Sequence, residues 1–247
     1  MRNNPEEKKA VRKFYLEQLG DMNIQALNEF AFSRAQLREK MFLFWHDHFA
    51  CFVPFAYMLQ LHINKLKAEA LGNYRTMLHT VAKDAAMLEF LNNTQNRARK
   101  PNENFAREVL ELYTLGIGQY TEQDIKEAAR AFTGWNYDDA GSKTFRGKSG
   151  AFGGEDILNM VLDDPATAAF LAKKLYAWFV SEQPHTEREK EIAEVLYSSG
   201  YAIDQTMRHI FMSDWFYDPK VMGNRIKSPA DLLTGFRRQV GLTFKDE

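Results

Sequence analysis

The sequence has a single cysteine, Cys51, among its 247 residues. One cysteine excludes an internal disulfide, and it also excludes a thiolate cluster for zinc or for an iron–sulfur centre. Helix-breaking residues are scarce as well, with 14 glycines and 7 prolines in the whole chain. Because glycine and proline are the residues least compatible with a helix interior, this composition favours a helical protein.

Neither charge nor hydrophobicity indicates a nucleic acid or a membrane as a partner. The chain has 32 Lys and Arg against 33 Asp and Glu, a net charge of −1, so its overall charge predicts no binding to phosphate backbones. The longest apolar runs, such as 41–45 and 50–58, are far shorter than the ~20 residues of a membrane-spanning helix. The first residues also lack the apolar core of a secretory signal, so the chain as written is expected to stay in the cytoplasm.

The sequence does have helical periodicity with recognisable helix ends. We expect a first helix from Pro5 to a C-cap at Gly20, and another from Asn102 to Leu115. Further N-terminal signals stand at residues 33, 84, 121–124, 164–165 and 228–229. We therefore predict an all-α fold, a single multi-helix domain over residues 1–247. An irregular insertion rich in glycine and aromatic residues interrupts it at 135–156, with a short hairpin around 143–146.

The densest polar cluster lies in the helix predicted from Asn102. On an α-helix Glu108 and Glu111 are three residues apart, and Asn104 precedes Glu108 by four, so the three side chains share one face. Two adjacent carboxylates can bind a cation, or one of them can have a raised pKa and act as an acid. The alternative is a solvated helix face on which Arg107 forms ion pairs with Glu103 and Glu111.

A second candidate lies in the aromatic segment 45–49. His46 and His48 are candidate metal ligands, with Asp47 between them. On a helix, alternate residues point about 200° apart, so both rings reach one ion only if the helix bends or ends there. The alternative is that one histidine is a hydrogen-bonded core group and the other is exposed.

The aromatic residues of the insertion allow two interpretations. Trp135, with Phe132, Tyr137, Phe145 and Phe152 around it, could line a sugar-binding groove, because flat rings stack on pyranose faces. Aromatic residues in such a segment also commonly attach the loop to the core. Both interpretations stay open at this point.

Six motifs together resemble one protein family. They are residues 44–50, 100–108, 120–135, 141–145, 164–168 and 227–229. They resemble the bacterial family of the domain of unknown function 1800, over about residues 34 to 237, and the chain is similar to the central portion of longer members. The resemblance implies an exported or periplasmic setting, with a second exported protein as an expected partner. A polysaccharide is the other expected partner, and it follows from the functions considered below.

The resemblance also implies a polar site, because the shared motifs are rich in His, Asn, Glu, Arg and Trp rather than in packing residues. The residues expected to converge on one cavity are His46 or His48, Asn104, Glu108, Glu111 and Arg130. The alternative is a buried structural network in which Arg107 or Arg130 neutralises the glutamates. Relatives have a longer segment with a His-Asp pair where this chain has only residues 136–140, which weakens a catalytic role.

Three functions follow as hypotheses. The first is a metal-assisted hydrolase that acts on an extracellular polymer with a divalent metal ion. Its assigned residues are Glu108, Glu111 and Arg130 for catalysis, His46 and His48 for the metal, and Asn104 and Trp135 for the substrate. The second is a non-catalytic module of the cell envelope that binds a protein or a glycan through the aromatic insertion. The third is a trimmed or inactive version of the family fold.

Overall fold

The structure, a computed structural model, describes residues 5–97, 100–135 and 141–241. The chain divides into two compact units, one made of residues 1–70 and 226–247 and the other of residues 71–225. The described residues are predominantly helical, with one small two-stranded sheet, which confirms the predicted all-α class. A single domain over residues 1–247 stays a prediction. Within the described ranges, no helix is both long and apolar enough to cross a membrane.

The helices and strands follow in chain order. The first six helices are α1 (Pro5–Phe32), α2 (Gln36–His48), α3 (Ala56–Ala68), α4 (Tyr74–Ala82), α5 (Ala85–Phe90) and α6 (Asn104–Glu108). A π-helical segment (Val109–Thr114), α7 (Glu122–Phe132), β1 (Lys143–Phe145) and β2 (Lys148–Gly150) come next. The last helices are α8 (Gly154–Leu162), α9 (Pro165–Phe179), α10 (Thr186–Ser198), α11 (Ile203–Met212) and α12 (Pro229–Val240). Short 3₁₀ turns occupy Asn93–Gln95, Thr133–Trp135 and Asp214–Tyr217.

The first unit packs α1 against α2, α3 and α12. Its core includes Trp45, whose indole N–H donates to the carbonyl oxygen of Ala70 at 3.0 Å. The predicted end of the first helix at Gly20 is wrong, since α1 continues without a break to Phe32. A glycine inside a helix costs only about 1 kcal/mol, and the residues that follow Gly20 include no proline to stop the helix.

In the second unit, α9 and α10 form the most extensive helix–helix contact. Helix α8 packs against α9 and α7, and α7 packs against β1 of the hairpin. The predicted capping box of α7 is present, with Thr121 and Asp124 bonded reciprocally. The predicted hairpin is also present: β1 and β2 are antiparallel, and Phe145 pairs with Lys148. The two turn residues have left-handed backbones, with φ of 47° at Arg146 and 75° at Gly147, as a tight hairpin turn requires.

The predicted insertion at 135–156 is only partly irregular. Residue 135 ends a 3₁₀ turn, and α8 already begins at Gly154. Residues 136–140, including Tyr137, lie outside the described residues. The irregular part of the described chain is therefore 141–153, and the hairpin accounts for much of it.

Candidate functional site

The predicted helix from Asn102 to Leu115 changes type half way. It is α-helical to Glu108 and π-helical over Val109–Thr114, where the N–H of Leu115 donates to the carbonyl oxygen of Leu110 at 2.9 Å. Asn102 does contribute at the start, because its side-chain oxygen accepts the N–H of Asn104 at 3.0 Å. A short π-helical segment interrupts the regular α-helical hydrogen bonds, and such segments occur frequently at functional sites.

The two glutamates flank this change of helix type and interact with each other. Glu108 is half-buried, and burial raises its pKa, with a further increase from the negative charge of Glu111 and a partial offset from Arg107. The carboxylate of Glu111 accepts a hydrogen bond from the hydroxyl of Tyr120. Burial, together with this bond to Glu111, raises the pKa of Tyr120 to about 12. Tyr120 therefore stays protonated at neutral pH and keeps donating to Glu111.

Arg107 pairs with Glu122 and Glu103 rather than with Glu108 or Glu111. Its guanidinium donates to both carboxylate oxygens of Glu122, at 3.1 and 2.9 Å, and lies 3.7 Å from Glu103. The expected pair with Glu103 is therefore present. Among the described residues, Glu122 takes the place that the sequence assigned to Glu111. A bidentate pair of this kind holds the arginine fork in a fixed orientation, so the charge of Arg107 only partly offsets the repulsion between Glu108 and Glu111.

A groove of about 630 Å³ opens beside Glu111, between the π-helical segment and α9. Its lining is mostly apolar with two lysines, and consists of Glu111, Leu112, Leu115, Gly116, Ile117, Gln119, Ala166, Ala169, Phe170, Lys173 and Lys174. Lys173 is exposed and has no hydrogen bond or ion pair to a described residue. The groove thus offers a carboxylate, an available ammonium group and apolar walls to a ligand.

Gly116 sets the width of the groove next to Phe170. Its φ is 83°, and an added Cβ would lie 2.9 Å from Cδ2 of the Phe170 ring. Any other residue would strain the backbone and push the ring away. Lys174 lies against the same ring, with its nitrogen 5.5 Å from the ring centroid. The position of Phe170 thus depends on a glycine at residue 116.

Asn104 and Trp135, the predicted substrate-binding residues, both have structural contacts. The side-chain amide of Asn104 donates to the carbonyl oxygen of Leu91 at 3.1 Å, which ties α6 to the end of α5. Trp135 packs against Phe105 and Phe132, with ring centroids 5.7 and 5.1 Å apart. These contacts agree with the interpretation that the aromatic residue attaches its segment to the core. Substrate binding by either residue stays a prediction.

Arg130 belongs to a network that attaches the hairpin to α7. It donates to both carboxylate oxygens of Glu127, at 3.0 and 2.9 Å, and to the carbonyl oxygen of Ser142 at 3.4 Å. Glu127 is only 7% exposed and also accepts the backbone N–H of Thr144 in β1 at 3.2 Å. These contacts are the ones expected if Arg130 neutralises a glutamate in a structural network. A catalytic role for Arg130 stays a prediction.

Asp124 anchors the turn of the same hairpin. It accepts the backbone N–H of Arg146 at 2.8 Å and that of Thr121 at 2.9 Å. Burial alone would raise the pKa of Asp124, but these hydrogen bonds outweigh burial and lower it. The guanidinium of Arg146 also forms an ion pair with Asp164, the N-cap of α9. The motif at 120–135 is thus joined through Asp124 and Glu127 to the hairpin that contains the motif at 141–145.

The two candidate metal ligands have different surroundings. His46 stacks on Phe42 with ring centroids 5.7 Å apart, and desolvation together with the nearby His62 lowers its pKa. His48 is 3% exposed and meets Phe49 and Trp45 edge to face, at 4.6 and 5.6 Å. The helix runs through both residues, so their rings point in different directions. Metal binding by this pair stays a prediction.

Both histidines belong to the first unit, and the glutamates belong to the second. Over residues 5–97, 100–135 and 141–241, no group of three or more His, Cys, Asp or Glu side chains is arranged to hold a metal ion. Within the second unit, the structure brings together Glu108, Glu111 and Tyr120. The groove and its lysines were not among the predicted site residues. Tyr120 does stand in one of the motifs, but Phe170 and Lys173 have no signal in the local sequence.

Comparisons with known proteins agree with the motif resemblance. The chain matches the model of the family described as "Protein of unknown function (DUF1800)" over residues 2–246, which is more than the central region covered by the motifs. No curated protein and no solved structure matches the chain. The family match spans nearly the whole sequence, and the chain therefore belongs to the DUF1800 family.

Proposed function

We propose that the groove beside Glu111 is the site of a hydrolase that cleaves a polymer by acid–base catalysis. The observation that carries the proposal is the position of Glu111 in the groove wall. Glu108 lies next to Glu111 and outside the groove lining, and its pKa is raised. A carboxyl group with a raised pKa keeps its proton closer to neutral pH, as a general acid must. Its neighbour, held by Tyr120, is the corresponding base.

In the proposed reaction, Glu111 removes a proton from a water molecule in the groove. The water oxygen bonds to the electrophilic carbon of the substrate while the bond from that carbon to the leaving oxygen breaks. Because Glu108 is not a lining residue of the groove, its proton reaches the leaving oxygen through one bridging water molecule. Both carboxyl groups then return to their starting states by exchanging one proton each with solvent. Tyr120 orients Glu111 throughout, because its hydroxyl remains protonated.

The groove favours a substrate with negative charge and apolar faces. Lys173 supplies a positive charge with no partner among the described residues, and Phe170 and Leu112 supply apolar surface. A ring of a polysaccharide has apolar faces, and a uronic acid unit adds the carboxylate that an ammonium group attracts. We therefore propose an acidic polysaccharide as the substrate. No step of this proposal depends on a metal ion, and the roles of His46 and His48 are separate from it.

The test is the release of new reducing ends from polygalacturonate, alginate and hyaluronate, with neutral galactan as the comparison. Wild-type protein is expected to cleave at least one acidic polymer. Glu108→Gln is expected to slow this cleavage by about 10²–10⁴-fold, the usual contribution of a general acid. Glu194→Gln is the matched control, because Glu194 is an exposed glutamate of α10 whose ion-pair partner in the described part of the chain is Lys190. Absence of cleavage of all three polymers, or equal rates for wild type and Glu108→Gln, would reject the proposal.

A non-catalytic module that binds through Trp135 has less support. The Trp135 ring packs against Phe105 and Phe132, and an added Cβ at Gly154 would lie 2.7 Å from it. Such a ring has little free face for a sugar. If this module were the function, Trp135→Ala would abolish glycan or protein binding while the helical circular dichroism signal stayed unchanged.

A further inference from the structure

A second pocket, of about 620 Å³, lies in the unit formed by residues 1–70 and 226–247. Its walls come from the end of α1, the start of α2 and the end of α3. Its lining residues are mostly of polar or charged type and are Asn28, Glu29, Phe32, Ser33, Arg38, Glu39 and Lys67. This pocket contains none of the residues used in the hydrolase proposal.

Glu39 is the unusual residue of this pocket. It is only 7% exposed, and its carboxylate has no hydrogen bond or ion pair to any described residue. The oxygens of Glu39 are not among the described polar atoms that are fully buried without a partner, so the carboxylate of this mostly buried residue is accessible from the pocket. Carboxylates in such surroundings are normally paired, and this one is therefore available to a cationic group of a ligand.

The other charges of the pocket are arranged differently. Glu29 and Lys67 form an ion pair, and the hydrogen bond from Lys67 lowers the pKa of Glu29. Arg38 is exposed and has no ion pair or hydrogen bond to a described residue. The pocket thus has an available carboxylate in its buried part and an available guanidinium at its exposed part.

The guanidinium of Arg237 lies behind the pocket wall. It is buried, sits 5.4 Å from the ring centroid of Phe32 and donates to the side-chain oxygen of Asn28 at 2.7 Å. Arg237 therefore interacts with two lining residues and supports the wall. Burial lowers the pKa of Arg237.

We propose that this pocket binds an amino acid zwitterion, with its ammonium group on Glu39 and its carboxylate on Arg38. A zwitterion of this kind matches both available charges at once, because each group forms a charge-assisted hydrogen bond with its partner. A divalent cation is a poorer match, since Ca²⁺ requires six to eight oxygen ligands. Glu29 already binds Lys67, which leaves Glu39 as the remaining carboxylate of the lining for a metal ion.

Two probes separate the contributions of the two charges. L-Lysine has both an ammonium group and a carboxylate, whereas cadaverine has two ammonium groups and no carboxylate. Isothermal titration calorimetry of the full chain is expected to show one site for L-lysine and a weaker one for cadaverine. Glu39→Gln is expected to weaken both probes by about tenfold or more, the usual effect of removing a charged hydrogen-bond partner.

The control variants distinguish this site from non-specific charge effects. Arg38→Gln is expected to weaken L-lysine and to leave cadaverine unchanged. Glu17→Gln is expected to change neither probe, because Glu17 is an exposed glutamate of α1 paired with Lys13. Thermal unfolding monitors the fold, and Glu39→Gln is expected to unfold at a temperature no lower than the wild type, since the Glu39 carboxylate forms no hydrogen bond or ion pair with a described residue that the substitution could remove.

Three outcomes would overturn the proposal. The first is the absence of binding heat for both probes at millimolar concentration. The second is equal affinity of the wild type and Glu39→Gln. The third is binding of calcium chloride that requires Glu39, without binding of either amine.

Discussion

Replacing Gly116 by alanine tests the groove wall directly. Gly116 and Gly118 both have φ of 83°, so replacing either by alanine is expected to destabilise the native state by a similar amount through backbone strain, about 1–2 kcal/mol. At Gly118 an added Cβ meets nothing within 4 Å, whereas at Gly116 it lies 2.9 Å from the Phe170 ring. Inserting a methyl group into a packed contact costs a further ~1–3 kcal/mol. Gly116→Ala is therefore expected to lose about 2–5 kcal/mol of unfolding free energy and Gly118→Ala about 1–2 kcal/mol.

The assay is equilibrium unfolding in guanidinium chloride, followed by circular dichroism for the wild type and both variants. The difference between the two variants isolates the contact with Phe170, because their backbone strain is the same. The double variant Gly116→Ala with Phe170→Leu is expected to recover part of the loss, since leucine can withdraw from the new methyl group. Equal stability of Gly116→Ala and Gly118→Ala would refute the assigned contact between Gly116 and Phe170.

Two further predictions concern the same unit. Lys173→Ala is expected to raise the KM for an acidic polysaccharide and to make that KM less dependent on salt concentration, with a smaller effect on kcat. The reason is that Lys173 binds the substrate without reacting. Steady-state kinetics at two ionic strengths measure both effects. Asp124→Asn is expected to lower the free energy of unfolding by about 1–3 kcal/mol at pH 7, since the carboxylate accepts the hydrogen bonds of the hairpin turn. The native pKa of Asp124 is lowered, so its stabilisation is present above the unfolded pKa and is lost as the pH falls through the native one. Unfolding curves at pH 7 and at low pH measure that loss, and an equal difference between wild type and variant at both pH values contradicts it.

Local sequence patterns predicted most of the secondary structure in the described residues. The reciprocal cap at Thr121 and Asp124 and the hairpin near residue 144 are local features, and each appears as expected. The end of the first helix was misplaced because Gly20 is a weak stop when good helix-forming residues follow it. The change to π-helix after Glu108 has no reliable local signal, since it depends on how Leu110 and Leu115 pair with each other.

The candidate site was predicted only in part. Glu108 and Glu111 interact because they are three residues apart on one helix, and the sequence alone gives this spacing. Phe170 and Lys173 join them through the packing of α9, about which the local pattern contains no information. Glu39 was hidden for a related reason: a charged residue on an amphipathic helix is expected to face solvent, and its burial depends on neighbouring helices.

The most direct test of the central claim is the titration of Glu108 by NMR, with ¹³C-labelled side-chain carboxyl groups assigned through Glu108→Gln. The proposed acid role predicts that the pKa of Glu108 lies above the ordinary glutamate value and falls in Glu111→Gln, because the variant removes the neighbouring negative charge. A pKa at or below the ordinary value, or one that does not change in Glu111→Gln, would contradict the assignment of Glu108 as the proton donor.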